Sequence, residues 1–300
     1  MKLKITFFFL LICISGGLSA QGGYRIEGQI KNLTGGSCIL ANYYAAQIYA
    51  KDTAQADANG RFVFEGTQPL QGGIYEVVLP DRKTLFRVLI TDDQTFAFTA
   101  DTTDIIGSSR ITGSRDNELF YDFQRFMKEK ESEYQRLKVQ KVPDTDKRIK
   151  DLQEQRKKFY DTFMKENEGS FTVKLFKASA EPELPPAPKL PNGKTDSAWV
   201  FNYYKSHFWD NFDFADTRMI QTPFLHQKLE RYIKDLTVQT EDSIIKEVDF
   251  VVSKAIAGKQ KDVISYCIWF ITNQYENNIF LFFSKAIAGK QKDVISYCIW

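Results

Sequence analysis

The chain changes its hydrophobic rhythm near residue 113. Before that point apolar and polar positions alternate: Tyr24, Ile26, Gly28 and Ile30 interleave with Arg25, Glu27, Gln29 and Lys31, the period of a strand with one buried face. Asp57, Ala58, Asn59 and Gly60 lead into Arg61, Phe62, Val63, Phe64, Glu65 and Gly66. Asn-Gly supplies the positive φ angles of a tight turn, so this stretch predicts a hairpin. Further strands are expected at residues 38–43, 74–79, 85–90 and 95–99. Short strands at this spacing predict a β-sandwich, or a sheet curled on itself, over residues 21–113. Cys38 lies within one strand and reads as a buried small hydrophobe.

From Asp116 onward the period is helical. Leu119, Phe123, Phe126, Met127, Tyr134 and Leu137 step round one face, Val142-Pro143-Asp144 interrupts it, and Ile149, Leu152, Phe159 and Phe163 form a second stripe. Proline cannot continue a helix, so residues 114–180 predict an antiparallel helical hairpin with a helical continuation at 170–178. The mixed charges on its surface read as a solvated face. Residues 181–195 hold Pro182, Pro185, Pro186, Pro188 and Pro191, an extended linker or a strap over the surface. Residues 196–278 predict a helical domain. In it Pro223 starts one helix, Thr240 N-caps the next with Glu241 and Asp242 in its first turn, and Gly258 ends it. Residues 263–271 are apolar nearly all round, as in a helix enclosed by others. The expected fold class is α+β: an N-terminal antiparallel β-sandwich followed by an all-α helical domain.

The densest apolar stretch is residues 197–214, where Trp199, Phe201, Tyr203, Tyr204, Phe208, Trp209, Phe212 and Phe214 crowd together. Aromatics bury large areas wherever they cluster. The segment is therefore expected to be the inner wall of the helical core. The competing reading is a binding surface built from Trp199, Tyr203, Tyr204, His207, Trp209 and Asp210.

Composition narrows the function classes. Forty Lys and Arg stand against 38 Asp and Glu, and the excess is Lys2 and Lys4 at the start of the chain. That balance argues against a nucleic-acid binder, which needs a basic field. Those lysines, the apolar run at residues 5–14 and Leu18-Ser19-Ala20 read as a secretory signal peptide over residues 1–20, cleaved after Ala20. The run is too short to span a bilayer, so no integral span is expected after signal removal. The expected location is the periplasm or cell envelope.

Of the cysteines, Cys13 leaves with the signal, and Cys38, Cys267 and Cys298 remain. An odd count does not make a disulfide scaffold, and no Cys-x-x-Cys occurs. His207 with Asp210, Asp213 and Asp216 is the one cluster of potential ligands. It reads as capping and surface hydrogen bonding, with metal-dependent hydrolysis as the weaker alternative. No Gly-x-Ser-x-Gly elbow and no glycine-rich phosphate loop is present. No catalytic residue, cofactor or metal is expected.

Ser253 to Trp269 returns letter for letter as Ser284 to Trp300. Solenoid repeats diverge and need about three units to bury a core, so one unit and an identical copy read as a duplication or a break in the gene. Residues 279–300 are expected to pack poorly. Within them Ile279, Phe280, Leu281, Phe282 and Phe283 form an apolar run that is exposed unless it docks.

The leader, the sandwich with its Asp57-x-Asn59-Gly60-x-Phe62-x-Phe64-x-Gly66 turn and the charged helical hairpin resemble an N-terminal domain of unknown function of Bacteroidetes-type envelope proteins. Residues 178–183 (Ala-Ser-Ala-Glu-Pro-Glu), the aromatic run at 196–214 and Thr222-Pro223-Phe224-Leu225-His226 resemble the helical domain that follows it in thioredoxin-like proteins of the thiol-specific antioxidant type. The resemblance covers residues 24–278. It implies a thioredoxin domain with a Cys-x-x-Cys dithiol downstream, and it carries no catalytic cysteine onto this chain. A lone thiol cannot run the dithiol cycle. The expected function is the non-catalytic N-terminal region of an exported thiol–disulfide oxidoreductase acting on an unknown envelope protein or peptide. The alternative is an envelope module that binds a peptide or glycan.

Overall fold

The structure, a computed structural model, describes residues 22–140 and 144–275. The expected signal peptide, the break at Val142 and Pro143, and the duplicated segment at 279–300 lie outside those residues. Eight strands come first: β1 Tyr24–Lys31, β2 Gly36–Tyr44, β3 Gln47–Ala56, β4 Arg61–Gly66, β5 Gly73–Val78, β6 Leu85–Ile90, β7 Thr95–Asp101 and β8 Arg110–Thr112, with a short helix α1 at Ile105–Ser108. Seven longer helices complete the described chain: α2 Arg115–Gln140, α3 Thr145–Glu166, α4 Phe171–Ser179, α5 Ser197–His207, α6 Phe224–Glu230, α7 Glu241–Gly258 and α8 Lys261–Gln274. The expected α+β class, strands first and helices after, is what the chain adopts.

The strands form two four-stranded sheets, ordered β4-β1-β7-β8 and β3-β2-β5-β6. The second is antiparallel throughout. The first is mixed, because β1 runs parallel to β7 with Ile26 opposite Phe96 and Gly28 opposite Phe98. The sequence expectation of a wholly antiparallel sandwich is corrected there. The Asp57–Gly60 turn forms as expected: Gly60 has φ +71°, and the Asp57 carboxylate accepts from the Asn59 and Arg61 N–H groups at 2.8 and 2.9 Å. Yet it does not close a hairpin. β3 pairs with β2 and β4 pairs with β1, so the turn carries the chain from one layer to the other and delivers Phe62 and Phe64 to the interior. Gly28 sits against the rings of Phe62 and Phe98. A Cβ there would lie 2.4 Å from the Phe62 ring and 2.8 Å from that of Phe98, so the neighbouring aromatics fill the space a side chain would need.

Each side of the second sheet is closed differently. At its β6 edge, helix α2 supplies a side-chain substitute for a missing strand. The Leu89 N–H donates to Asn117 Oδ1 at 2.7 Å, and Asn117 Nδ2 donates to the Leu89 carbonyl at 2.7 Å and to Ser114 Oγ at 2.9 Å. The Tyr121 hydroxyl donates to the Arg87 carbonyl at 2.8 Å, while the Phe86 ring is stacked between Tyr121 and Phe98 at 5.0 and 4.3 Å. At the opposite edge, β3 is bulged against β2 between Leu40 and Ala41. Lys51 is the extra residue, and a bulge with a lysine discourages pairing with another chain.

The helices follow the expected hairpin, with Phe126 stacked on Phe159 at 3.7 Å between α2 and α3. Ser170 caps α4 through the Val173 N–H at 3.1 Å, and the Thr172 hydroxyl donates to the Asp116 carbonyl at 2.7 Å, which ties α4 to the start of α2. The aromatic segment is helical only over α5. Its second half winds through turns into a 3-10 turn at Thr217–Gln221, and a π-helical turn at Arg231–Asp235 follows α6. Gly258 is the last residue of α7, but Lys259 takes the left-handed position after it, at φ +59°. Within helix α8, residues 263–271 are buried or half-buried apart from Trp269, which is 53% exposed.

Sandwich and helices share one continuous core, running from Ile26, Leu40 and Phe86 through Phe171 and Leu175 to Trp209, Leu225, Val251 and Cys267. The join is the 3-10 turn. The Ala45 N–H donates to the Ile220 carbonyl at 2.6 Å, Asn42 Nδ2 donates to Gln221 Oε1 at 3.1 Å, and Gln221 Nε2 donates to Gln71 Oε1 at 3.1 Å. Gly73, at φ +154°, lies where a Cβ would come 2.3 Å from that of Gln221.

Asn117 is fully buried, so Asn117→Ala leaves both backbone groups of Leu89 unpaired in the interior. The expected loss is about 2–4 kcal/mol of unfolding free energy in urea denaturation. A loss below about 0.5 kcal/mol would show that water replaces the amide there.

A candidate binding groove and the aromatic segment

Sheet β3-β2-β5-β6 turns its outer face toward the helices, and a polar cluster sits on it. Glu76 on β5 lies opposite Arg87 on β6. Although Glu76 is only 3% exposed, it receives Arg87 Nε at 2.8 Å and Nη2 at 2.5 Å, both on Oε1. Burial pushes the Glu76 carboxyl up from its ordinary range, and Arg87 and the Tyr43 hydroxyl pull against that shift without cancelling it. A buried charge of this kind persists because its partner is held beside it.

Between this cluster and helices α2 and α4 runs an open groove of about 500 Å³, walled by Phe120, Phe123, Phe176 and Phe224 with Arg87 at its base. A smaller recess of about 220 Å³ continues past Glu76, Ile105 and Tyr121, and Arg87, Ile106, Phe120 and Gln124 line both. Its rim charges are paired: Lys128 with Asp104, and Arg156 with Glu131 at 3.3 Å. The groove therefore presents apolar walls and, at Arg87, a guanidinium whose bonds converge on a single carboxylate oxygen. That arrangement can hold an apolar ligand with an acceptor group. It supplies no activated nucleophile.

The six residues singled out in the aromatic segment do not form one surface. Trp199, Tyr203 and His207 stack along α5 at 5.2 and 4.0 Å, as i, i+4 spacing dictates. His207 Nδ1 donates to the Tyr203 carbonyl at 2.9 Å. Tyr204 lies across the helix, its hydroxyl bonded to Glu181 of the proline-rich segment, which also takes Arg231 at 2.6 Å. That segment is a strap pinned at its start. Trp209 is buried with Phe208, Phe212 and Phe214, and its indole N–H has no hydrogen-bond partner among the described residues. Asp210 is exposed in the turn beyond α5. The structure separates a stacked outer ladder from an inner wall, and Trp209 belongs to the wall.

Asp213 and Asp216 work as turn and ion-pair groups. Asp213 accepts from the Ala215 N–H at 2.9 Å, and Asp216 from the Arg218 N–H at 3.1 Å. Both take Lys174 Nζ at 2.9 Å. Burial raises the Asp216 carboxyl, but hydrogen bonds from Arg218 and Lys174 outweigh it and bring it down to about 2. Among the described residues no group of three or more His, Cys, Asp or Glu is placed to hold a metal ion.

Sequence reasoning missed Lys228. It lies on α6, 8% exposed, with Nζ 4.1 Å from the centroid of Phe208 and 5.8 Å from that of Trp209. The rings attract the cation through their quadrupoles, but burial still brings its pKa down to about 8. Its helical neighbours Leu225 and Leu229 carried the visible signal.

Residues 24–120 match the family model described as Domain of unknown function (DUF4369), and residues 152–284 match Domain of unknown function (DUF5106). No curated protein and no solved structure matches the chain.

Lys228 makes a signed pH prediction. Its folded pKa lies below the unfolded value of about 10.4, so the unfolded chain binds more protons between about pH 8 and pH 10, and this residue's contribution to stability rises through that window. The buried thiols of Cys38 and Cys267, both pushed up, act in the opposite direction, so only a difference is diagnostic. Lys228→Met should be more stable than wild type near neutral pH in urea denaturation, and its advantage should shrink as pH rises through that window. A constant advantage would show that Lys228 keeps an ordinary pKa.

Proposed function

We propose that the chain is a non-catalytic scaffold of an exported thioredoxin-like thiol–disulfide system, holding an envelope protein or peptide for a reactive domain supplied elsewhere. The state of its thiols carries this reading. Cys38 is enclosed in the sandwich and Cys267 in α8, both free and buried, and burial pushes them up to about 11 and about 12. The attacking species in disulfide exchange is the thiolate. Neither sulfur can ionise near neutral pH or reach a substrate without unfolding. The shared core supports the scaffold role, since it holds the groove and the strap in fixed relation. The resemblance of residues 24–278 to the regions preceding a thioredoxin domain supplies the redox context. Among the described residues no helix is long and apolar enough to cross a membrane.

A second reading, an envelope module that binds a peptide or glycan on its own, is favoured by the apolar groove beside Arg87. The two are separable. The purified chain should not accelerate dithiothreitol-driven reduction of insulin, and acceleration abolished by cysteine substitution would overturn the scaffold reading. Gln124→Trp fills the groove and leaves the Glu76–Arg87 pair intact. Under the second reading it abolishes capture of a peptide or glycan-array ligand, and retained capture would place binding elsewhere.

A further inference from the structure

A peptide cleft offers its ligand backbone partners, and the groove beside Arg87 has spent its own. The nearest strand edge, β6, is taken: Asn117 holds both backbone groups of Leu89, and Tyr121 holds the Arg87 carbonyl. Helices α2 and α4 use their backbone groups within their own turns. What faces the groove instead is hydrocarbon. Phe123 and Phe120 both stand against Phe176, with ring centroids 4.4 and 5.9 Å apart. A peptide or glycan laid along these rings would turn its own N–H, C=O or hydroxyl groups toward them, at a cost in desolvation. A chain of methylenes carries no such groups. At about 500 Å³ the groove falls within the range of small-ligand sites.

The charges select the end of the ligand. Arg87, Lys128 and Arg156 stand in the groove's wall with one acid, Glu131. Glu76 takes Arg87 Nε and Nη2 on one oxygen and leaves Nη1 out of the pair, while the Arg87 side chain is still 37% exposed. A guanidinium carries five donors in a planar fork that suits a carboxylate. Arg87 can therefore take a second carboxylate while Glu76 keeps it in place. We propose that the groove binds a single-chain fatty acid, its hydrocarbon tail among the phenylalanine rings and its carboxylate on Arg87. The proposal rests on the premise of the second reading, that this groove is a ligand site, and departs from it in the class of ligand.

Isothermal titration calorimetry of the purified full chain with octanoate, decanoate and dodecanoate, each below its micelle concentration, tests this. One molecule should bind per chain, about fourfold tighter for each added methylene, the factor that burying a CH₂ group gives. Dodecanol has the same tail without the charge and should bind at least about tenfold more weakly than dodecanoate. Gln124→Trp, shown to be folded by circular dichroism, should weaken dodecanoate by a similar factor. Absence of dodecanoate binding would overturn the proposal. So would equal affinity for dodecanol, which needs no variant to measure, or unchanged dodecanoate binding by Gln124→Trp. The second reading is scored separately on the same protein. If dodecanoate fails while a peptide or glycan is captured by the native chain and lost in Gln124→Trp, the fatty-acid proposal falls and the second reading stands. If neither ligand is bound, both fall.

Discussion

The structure depends on five residues of 3-10 turn, Thr217–Gln221, seated on the sandwich. There the Ile220 carbonyl takes the Ala45 N–H at 2.6 Å, and Gln221 bonds in both directions, to Asn42 and Gln71. Met219 and Ile220 are buried beneath it. On the far side Arg218 reaches back over the Phe171 ring at 4.3 Å and pairs with Asp216, which also holds Lys174. Strand β2, strand β5, helix α4 and the aromatic wall therefore meet at one short segment. Its polar groups are satisfied by both halves, so separating them would strand several buried donors and acceptors at once.

That junction makes the architecture a single packed body despite its two halves of opposite secondary structure. The aromatic wall of Phe208, Trp209, Phe212 and Phe214 faces inward because the chain must turn from α5 into the junction. Aspartates at 213 and 216 are the residues that make the turn. Lys228 is enclosed for the same reason, as α6 returns across that wall. The groove lies in the same packing, lined by residues of β5, β6, α2 and α4 with Phe224 of α6. Its guanidinium stays in place because Glu76 holds it.

Much of the architecture is legible in the amino-acid pattern. Alternation in β1 and β4, the Asp57 turn, the helical stripes of α2 and α3 and the cap at Ser170 all follow local rules, and local rules suffice where one face is buried and the other is not. Three features are not legible. β3 exposes most of its residues and carries no apolar alternation, so nothing marks it as a strand. The parallel pairing of β1 with β7 joins residues far apart in sequence, and the tight turn at Asn59-Gly60 points to a local hairpin instead. In the aromatic run the division between the stacked ladder of α5 and the buried wall is hidden, because clustering says how much surface will be buried but not which residues bury it. The groove is the extreme case. Glu76, Arg87, Phe123 and Phe176 come from four separate elements, and no spacing in the chain announces them.

The central claim is that sandwich and helices unfold as one body through the Thr217–Gln221 junction. Differential scanning calorimetry of the purified chain tests it most directly. The account predicts one transition whose calorimetric and van't Hoff enthalpies agree. Two resolved transitions, one for the sheets and one for the helices, would contradict it.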